Sequence, residues 1–329
     1  MLYSVILIVA QRSPVIGTLA IAYLFCGGTG AGTVLMACVL DARFSQTGND
    51  SNALAVSRAF CAGFALLLFG SLCLLFDVGR IDRVEHLLFT PSFSIISVGF
   101  FALAALLVLS ALISAARILQ TPPVHPHIAR IAHVLAALLS ITVMAYTGIL
   151  LCSIRAVALW NTFFLPALFL FSSVSAGCAV TILSCCSAGS DGALIESILR
   201  IDGPIVVLEA ICAAGFAIAS LASEHVGAAI SRNLLFAGGD PTLTVLWWVG
   251  FAICGIAAPL SMYARAIIPA RRQRMITRAS LAYTALAVLF AAACLRYCVV
   301  SAGTHAPMKL DNPLQAAIPA AVCQESEPK

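Results

Sequence analysis

Charge is what this sequence has least of. Only 10% of its 329 residues are Asp, Glu, Lys or Arg, against 61% hydrophobic. No soluble domain of this size can bury so much apolar side chain. A basic surface for nucleic acid is also missing, because the net charge is only +4 and is spread over loops. No CxxC pair occurs. The thirteen cysteines, among them Cys26, Cys38, Cys61, Cys73, Cys152, Cys178 and Cys254, lie mostly inside apolar runs, where the residue packs as a small hydrophobe. No iron–sulphur cluster is therefore expected in this protein, and the adjacent Cys185 and Cys186 form no usual metal-ligand set. Histidine is scarce within the apolar runs as well. A di-haem membrane cytochrome needs several axial ligands inside helices. Of His86, His125, His127, His133, His225 and His305, only His133 falls near a span interior. Neither haem nor another metal site is expected; His125-Pro126-His127 sits in a loop with no further ligand near in sequence. Residues 1–10 are apolar but lack a basic n-region, which argues against a cleaved signal peptide.

Long apolar runs are what remains. A bilayer-spanning helix takes roughly 20 apolar residues. Such runs fall at residues 15–40, 57–76, 93–117, 129–152, 158–185, 203–222, 243–263 and 279–300. All are too long for barrel strands, so each reads as a helix with its backbone bonds closed internally. The expected fold is an all-α bundle of eight transmembrane helices over residues 1–303, followed by a disordered tail at 304–329.

Eight spans place both termini on one face. The loop Arg265–Arg278 on the opposite face carries five arginines and no acid, and short basic loops stay cytoplasmic. Arg43, Arg58, Arg117, Arg130 and Arg200 lie on that same face. The sequence thus predicts a multi-pass protein in a lipid bilayer, with both termini outside.

Polar residues at membrane depth are expensive and mark candidate sites. Most collect toward the terminal face: Tyr23 in the first helix, Asp77 and Arg80 at the end of the second, Tyr146 near the exit of the fourth. Trp160 and Asn161 precede the fifth, and Arg296 and Tyr297 lie near the end of the eighth. Trp160 and Tyr297 also fit an aromatic belt with Arg296 snorkelling to the headgroups, and Asp77 with Arg80 also fits an ion pair closing a helix end. Glu209 stands apart in the sixth helix, with Asp202 seven residues earlier on the same helical face. A carboxylate there costs about 2.5–3.5 kcal/mol on insertion scales, so it is protonated, paired or wet. Proton relay and a buried interhelical hydrogen bond both account for it. The glycines Gly27, Gly28, Gly30 and Gly32 form a small-residue stripe for close helix packing, not a phosphate loop.

In order along the sequence, these motifs resemble the NrfD/polysulphide-reductase membrane-subunit family. They are Tyr23–Gly28 with Gly30-Ala31-Gly32, Asp77-Val78-Gly79-Arg80, Thr90-Pro91-Ser92 and Tyr146-Thr147-Gly148. Further on come Trp160-Asn161-Thr162 with Pro166, Ser175-Ala176-Gly177, Asp202 and Glu209, and Leu295-Arg296-Tyr297 with Ala302-Gly303. The resemblance spans residues 14–303 and implies a haem-less subunit of the bacterial inner membrane that binds a quinone such as menaquinone near the outer face. It also implies a ferredoxin-like 4Fe–4S subunit as electron partner, serving a molybdopterin or multi-haem catalytic subunit. Two departures stand out: Val15-Ile16-Gly17-Thr18 where relatives carry more polar side chains, and Ile81 where a proline is frequent.

On this reading Tyr146 donates to a quinone oxygen and Asp77 exchanges protons, held ionised by Arg80 or Arg296. Tyr23, Trp160 and Asn161 line the pocket, and Asp202 and Glu209 relay protons. The competing class is a proton-coupled secondary transporter, which Glu209 and the glycine-rich first helix would suit. No inverted repeat or matched pair of broken helices is visible in the sequence.

Overall fold

In lipid a backbone must close its hydrogen bonds within its own segment, and every described apolar run is helical. The computed structural model describes residues 17–44, 49–78, 95–120, 126–153, 159–222, 234–235, 241–267 and 277–304. Helix α1 is Thr18–Phe44, α2 Asp50–Val78, α3 Ile95–Ile118, α4 Pro126–Ser153, α5 Phe164–Ala188, α6 Gly192–Leu221 and α8 Arg278–Thr304. Helix α7 runs continuously through Pro241–Val245, Leu246–Ala257 and Ala258–Ile267. All eight are long and apolar enough to cross a bilayer. The protein is a multi-pass, all-α membrane protein. The tail at 305–329, the Arg80–His86 segment and most of the arginine loop lie outside the described residues.

Three boundaries differ from the hydropathy reading. Helix α2 begins at Asp50, before the apolar run itself. Residues 159–163 form a turn, and α5 starts only at Phe164. Helix α6 starts at Gly192, well before 203, so Gly203-Pro204 is a mid-helix step rather than a start. Pro204 removes the N–H that would bond the Arg200 carbonyl and crowds that carbonyl with its ring, yet the helix continues through it to Leu221. Helix α5 ends at Gly189, whose φ of 70° suits a left-handed cap, with its N–H bonded to the Cys185 carbonyl.

Neighbour relations divide the bundle. Helices α1–α4 pack in a ring, α5–α8 in a second, and α1 meets α5 between them. The buried shares of the spans are 83% for α1, 78% for α5 and 67% for α8, against 28–39% for the rest. Those three are the centre. Their small residues let backbones touch. A Cβ at Gly32 would collide with the Ser173 carbonyl oxygen, and one at Gly177 would collide with the Gly32 carbonyl carbon. Because both obstacles are backbone, Gly32→Ala must push α1 off α5. We expect a loss of about 1–3 kcal/mol, measured as a lower midpoint for thermal unfolding in detergent.

Helix α7 has an unexpected feature: Leu246–Ala257 is wound as a π-helix. The wider i→i+5 winding sets Gly250 and Gly255 on one face. There a Cβ would lie 2.7 Å from Cys294 Sγ and 2.7 Å from Ala291 Cβ of α8.

Side-chain contacts tie the two ends of the bundle. On the arginine-loop face, Arg117 pairs with Asp41 at 2.5 Å, and His133 approaches the same carboxylate at 3.4 Å. Asn49 and Asn52 bind Asp191, and Arg58 donates to Ser187 at 2.9 Å. On the terminal face, Trp160 donates to the Val299 carbonyl at 2.9 Å and lies over Gly303.

Candidate functional site

Two polar clusters lie inside the bundle, one in each ring of helices. The first is near the terminal face, where α1 begins and α2 and α4 end. Tyr23 is 2% exposed, and its hydroxyl has no hydrogen-bond partner among the described residues. A buried hydroxyl left without a bond costs about 1–3 kcal/mol, which singles Tyr23 out as a candidate site residue. Its electrostatic neighbour is Tyr146 of α4. The Tyr146 ring lies over Gly99 of α3, where a Cβ would run into it. Only glycine at 99 admits the ring at that depth. Asp77, at the end of α2, is exposed. Its carboxylate lies against Gly17, close enough that a Cβ there would meet Oδ1. That is the N-terminal end of α1, whose free N–H groups and dipole favour an anion.

The second cluster is the charged centre. Arg296 of α8 is fully buried. Its guanidinium donates to Ser172 Oγ at 3.0 Å, Ser173 Oγ at 2.8 Å, the Ala292 carbonyl at 2.8 Å and the Leu24 carbonyl at 3.4 Å. It also lies 5.4 Å from the Phe169 ring centre, a cation–π distance. Glu209 of α6 is 3% exposed and lies beside Ser172, and its charge couples to that of Arg296. Ser172 accepts from the arginine and lies beside Glu209, so its hydroxyl stands between the two charges. Asp202 lies two turns earlier, about 10 Å along the helix. It is 1% exposed and accepts from the Tyr263 hydroxyl of α7. Ser175 and Cys178 of α5 flank it. Its second oxygen, Oδ1, has no bond of good geometry among the described residues.

Several sequence readings change here. Arg296 does not snorkel to headgroups, nor does it face Asp77. Its hydrogen bonds tie it to α1 and α5, and its charge faces Glu209, because small residues on α1 and α5 leave room at the centre. Trp160 is not in an interfacial belt: it is fully buried with its N–H committed to α8, a strut between helices. Asn161 is exposed, as is Tyr297 at 42%. Arg80 lies outside the described residues. Sequence reasoning missed Ser172, Ser173 and Tyr263. The hydroxyl-rich stretch Ser172-Ser173-Val174-Ser175, inside an apolar run, was the available signal for the first two.

An eight-helix membrane bundle with two acids and an arginine enclosed at its centre defines the class. The model of the family "Polysulphide reductase, NrfD" matches residues 9–307. The chain belongs to that family. It is 28% identical to Protein NrfD of Escherichia coli (strain K12) over 269 residues, 72% of its own length and 80% of that protein. The polysulfide reductase C subunit of Wolinella succinogenes is 26% identical over 255 residues, again 72% of the present sequence and 79% of that protein. A Protein NrfD homolog of Haemophilus influenzae is 34% identical over 133 residues, 40% of the present sequence and 39% of that protein.

Proposed function

We propose that this protein is the quinone- or quinol-reacting membrane subunit of a modular oxidoreductase, exchanging electrons with an iron–sulphur subunit that serves a separate catalytic subunit. The observation that carries this reading is the buried Tyr23 hydroxyl, partnerless among the described residues and close enough to Tyr146 to feel its charge, at the terminal end of the first helix ring. A quinone head brings two-electron, two-proton chemistry and needs hydrogen-bond donors for its oxygens. Tyr23 and Tyr146 supply O–H groups within a largely apolar wall, and Asp77, exposed at the same face, exchanges protons with water. The segment beyond Asp77 is the docking region for the ferredoxin-like 4Fe–4S partner. A molybdopterin or multi-haem subunit holds the terminal substrate site.

The second ring then carries the protons. Arg296 bonds the backbone of Leu24, next to Tyr23, and bridges through Ser172 to Glu209. The arginine thus stands between the quinone pocket and the acids of α6. Glu209 and Asp202 are the relay. Glu209→Gln is expected to leave electron transfer intact and lower the number of protons moved per electron pair. An unchanged proton count at normal expression ends the relay idea.

Purification from native membranes tests the subunit assignment. The protein should arrive with an iron–sulphur protein whose clusters are reduced on adding quinol. Arrival alone, with solute uptake into vesicles, would favour the transporter reading instead. Orientation is tested by fusing alkaline phosphatase, which is active only outside. Fusion after Lys329 should be active and fusion within Arg271–Arg274 inactive, and the reverse would move the quinone site to the inner face.

A further inference from the structure

Tyr263 has no part in the quinone pocket, yet among the described residues it makes the one side-chain bond of good geometry that holds the buried Asp202. We propose that Tyr263 is the positioning residue of the carboxylate line at its arginine-face end. It holds Asp202 in the gap between α6 and α7, so that this acid, and not Glu209, exchanges protons with the face carrying the arginine loop. The inference rests on the relay reading above and deepens it.

The geometry is specific. Tyr263 lies four residues before the end of α7 at Ile267, so it is close to the arginine-loop face. It is 3% exposed, and its hydroxyl donates to Asp202 Oδ2. Its ring passes Gly203, where an added Cβ would be in ordinary contact at 3.8 Å. The next residue, Pro204, removes a backbone N–H from that turn of α6. The face that Tyr263 presents is set upstream. Twelve residues of π winding at Leu246–Ala257 rotate everything after them relative to an α-helix. Such segments recur at functional sites. With Tyr263 on Oδ2, the other oxygen, Oδ1, is left to the Ser175 hydroxyl and the Cys178 thiol beside it. That oxygen takes up the proton arriving from the Glu209 side and gives it up toward the arginine-loop face. Tyr263 keeps its own proton throughout.

The test uses the whole complex in membrane vesicles and two readouts. The first is labelling of Asp202 by a hydrophobic carbodiimide, mapped by mass spectrometry. The second is proton release at the arginine face per electron pair. In Tyr263→Phe the ring remains and the donor is lost. Labelling at Asp202 should rise about fivefold, the factor for one neutral hydrogen bond, and proton release should fall to less than half. Replacing Tyr263 with a fluorinated tyrosine, a stronger donor, should lower labelling below wild type, which a merely structural role would not do. If labelling is unchanged in both forms, Tyr263 does not position Asp202 and the proposal is overturned. If labelling responds while Glu209→Gln leaves the proton count at wild type, the relay reading fails and the hold of Tyr263 on Asp202 stands.

Discussion

Replacing Arg296 with methionine is expected to abolish assembly of the protein, while Glu209→Gln alone is tolerated. The asymmetry follows from the partners. Without the arginine, Glu209 loses its charge partner and must take up a proton to stay buried, while Ser172, Ser173 and the Leu24 and Ala292 carbonyls lose their shared donor; removing one member of a buried pair costs about 3–5 kcal/mol. Without the carboxylate, the guanidinium keeps Ser172, Ser173, Leu24, Ala292 and the face of Phe169. Arg296→Lys should fail nearly as badly, because one ammonium cannot span four oxygens on three helices. The double change Arg296→Met with Glu209→Gln should recover most of the loss. Folded yield and the thermal midpoint in detergent measure all four proteins. Equal losses in the double and the single Arg296 variant would show that the arginine acts through packing alone.

The second large effect is on turnover. Tyr146→Phe deletes an O–H while keeping the ring over Gly99. A hydrogen bond to a group gaining charge is worth about 1.5–3 kcal/mol, roughly tenfold to over a hundredfold in rate. Asp77→Asn should slow quinol turnover through lost proton exchange. Both variants should retain the iron–sulphur subunit and normal activity with an artificial dye that bypasses the quinone. Equal loss of dye-linked and quinol-linked activity would make these residues assembly elements.

All eight spans were legible in the sequence, because a run of about 20 apolar residues has few alternatives to a transmembrane helix. The pairing of Asp202 with Glu209 on one face followed from their spacing, and both are buried in α6. Depth and direction were not legible. Nothing in Leu295-Arg296-Tyr297 says that the arginine turns inward and the tyrosine outward; that depends on the glycines of α1 and the serines of α5 leaving room. The start of α6 was missed because Glu196, Arg200 and Asp202 interrupt the apolar run, while the buried Leu194, Ile195, Ile198 and Leu199 hold that segment helical. The π winding in α7 has no local sequence cue, so Tyr263 could not be assigned to a face.

The proposed quinone pocket is tested most directly by covalent capture. The intact complex in its membrane is illuminated with a photoreactive quinone, and the labelled peptides are read by mass spectrometry. Label is expected on the α1 segment containing Tyr23 and the α4 segment containing Tyr146, suppressed by excess native quinone and reduced in Tyr146→Phe. Label confined to the second ring, or label on α1 and α4 that native quinone does not displace, would contradict a quinone site between Tyr23 and Tyr146.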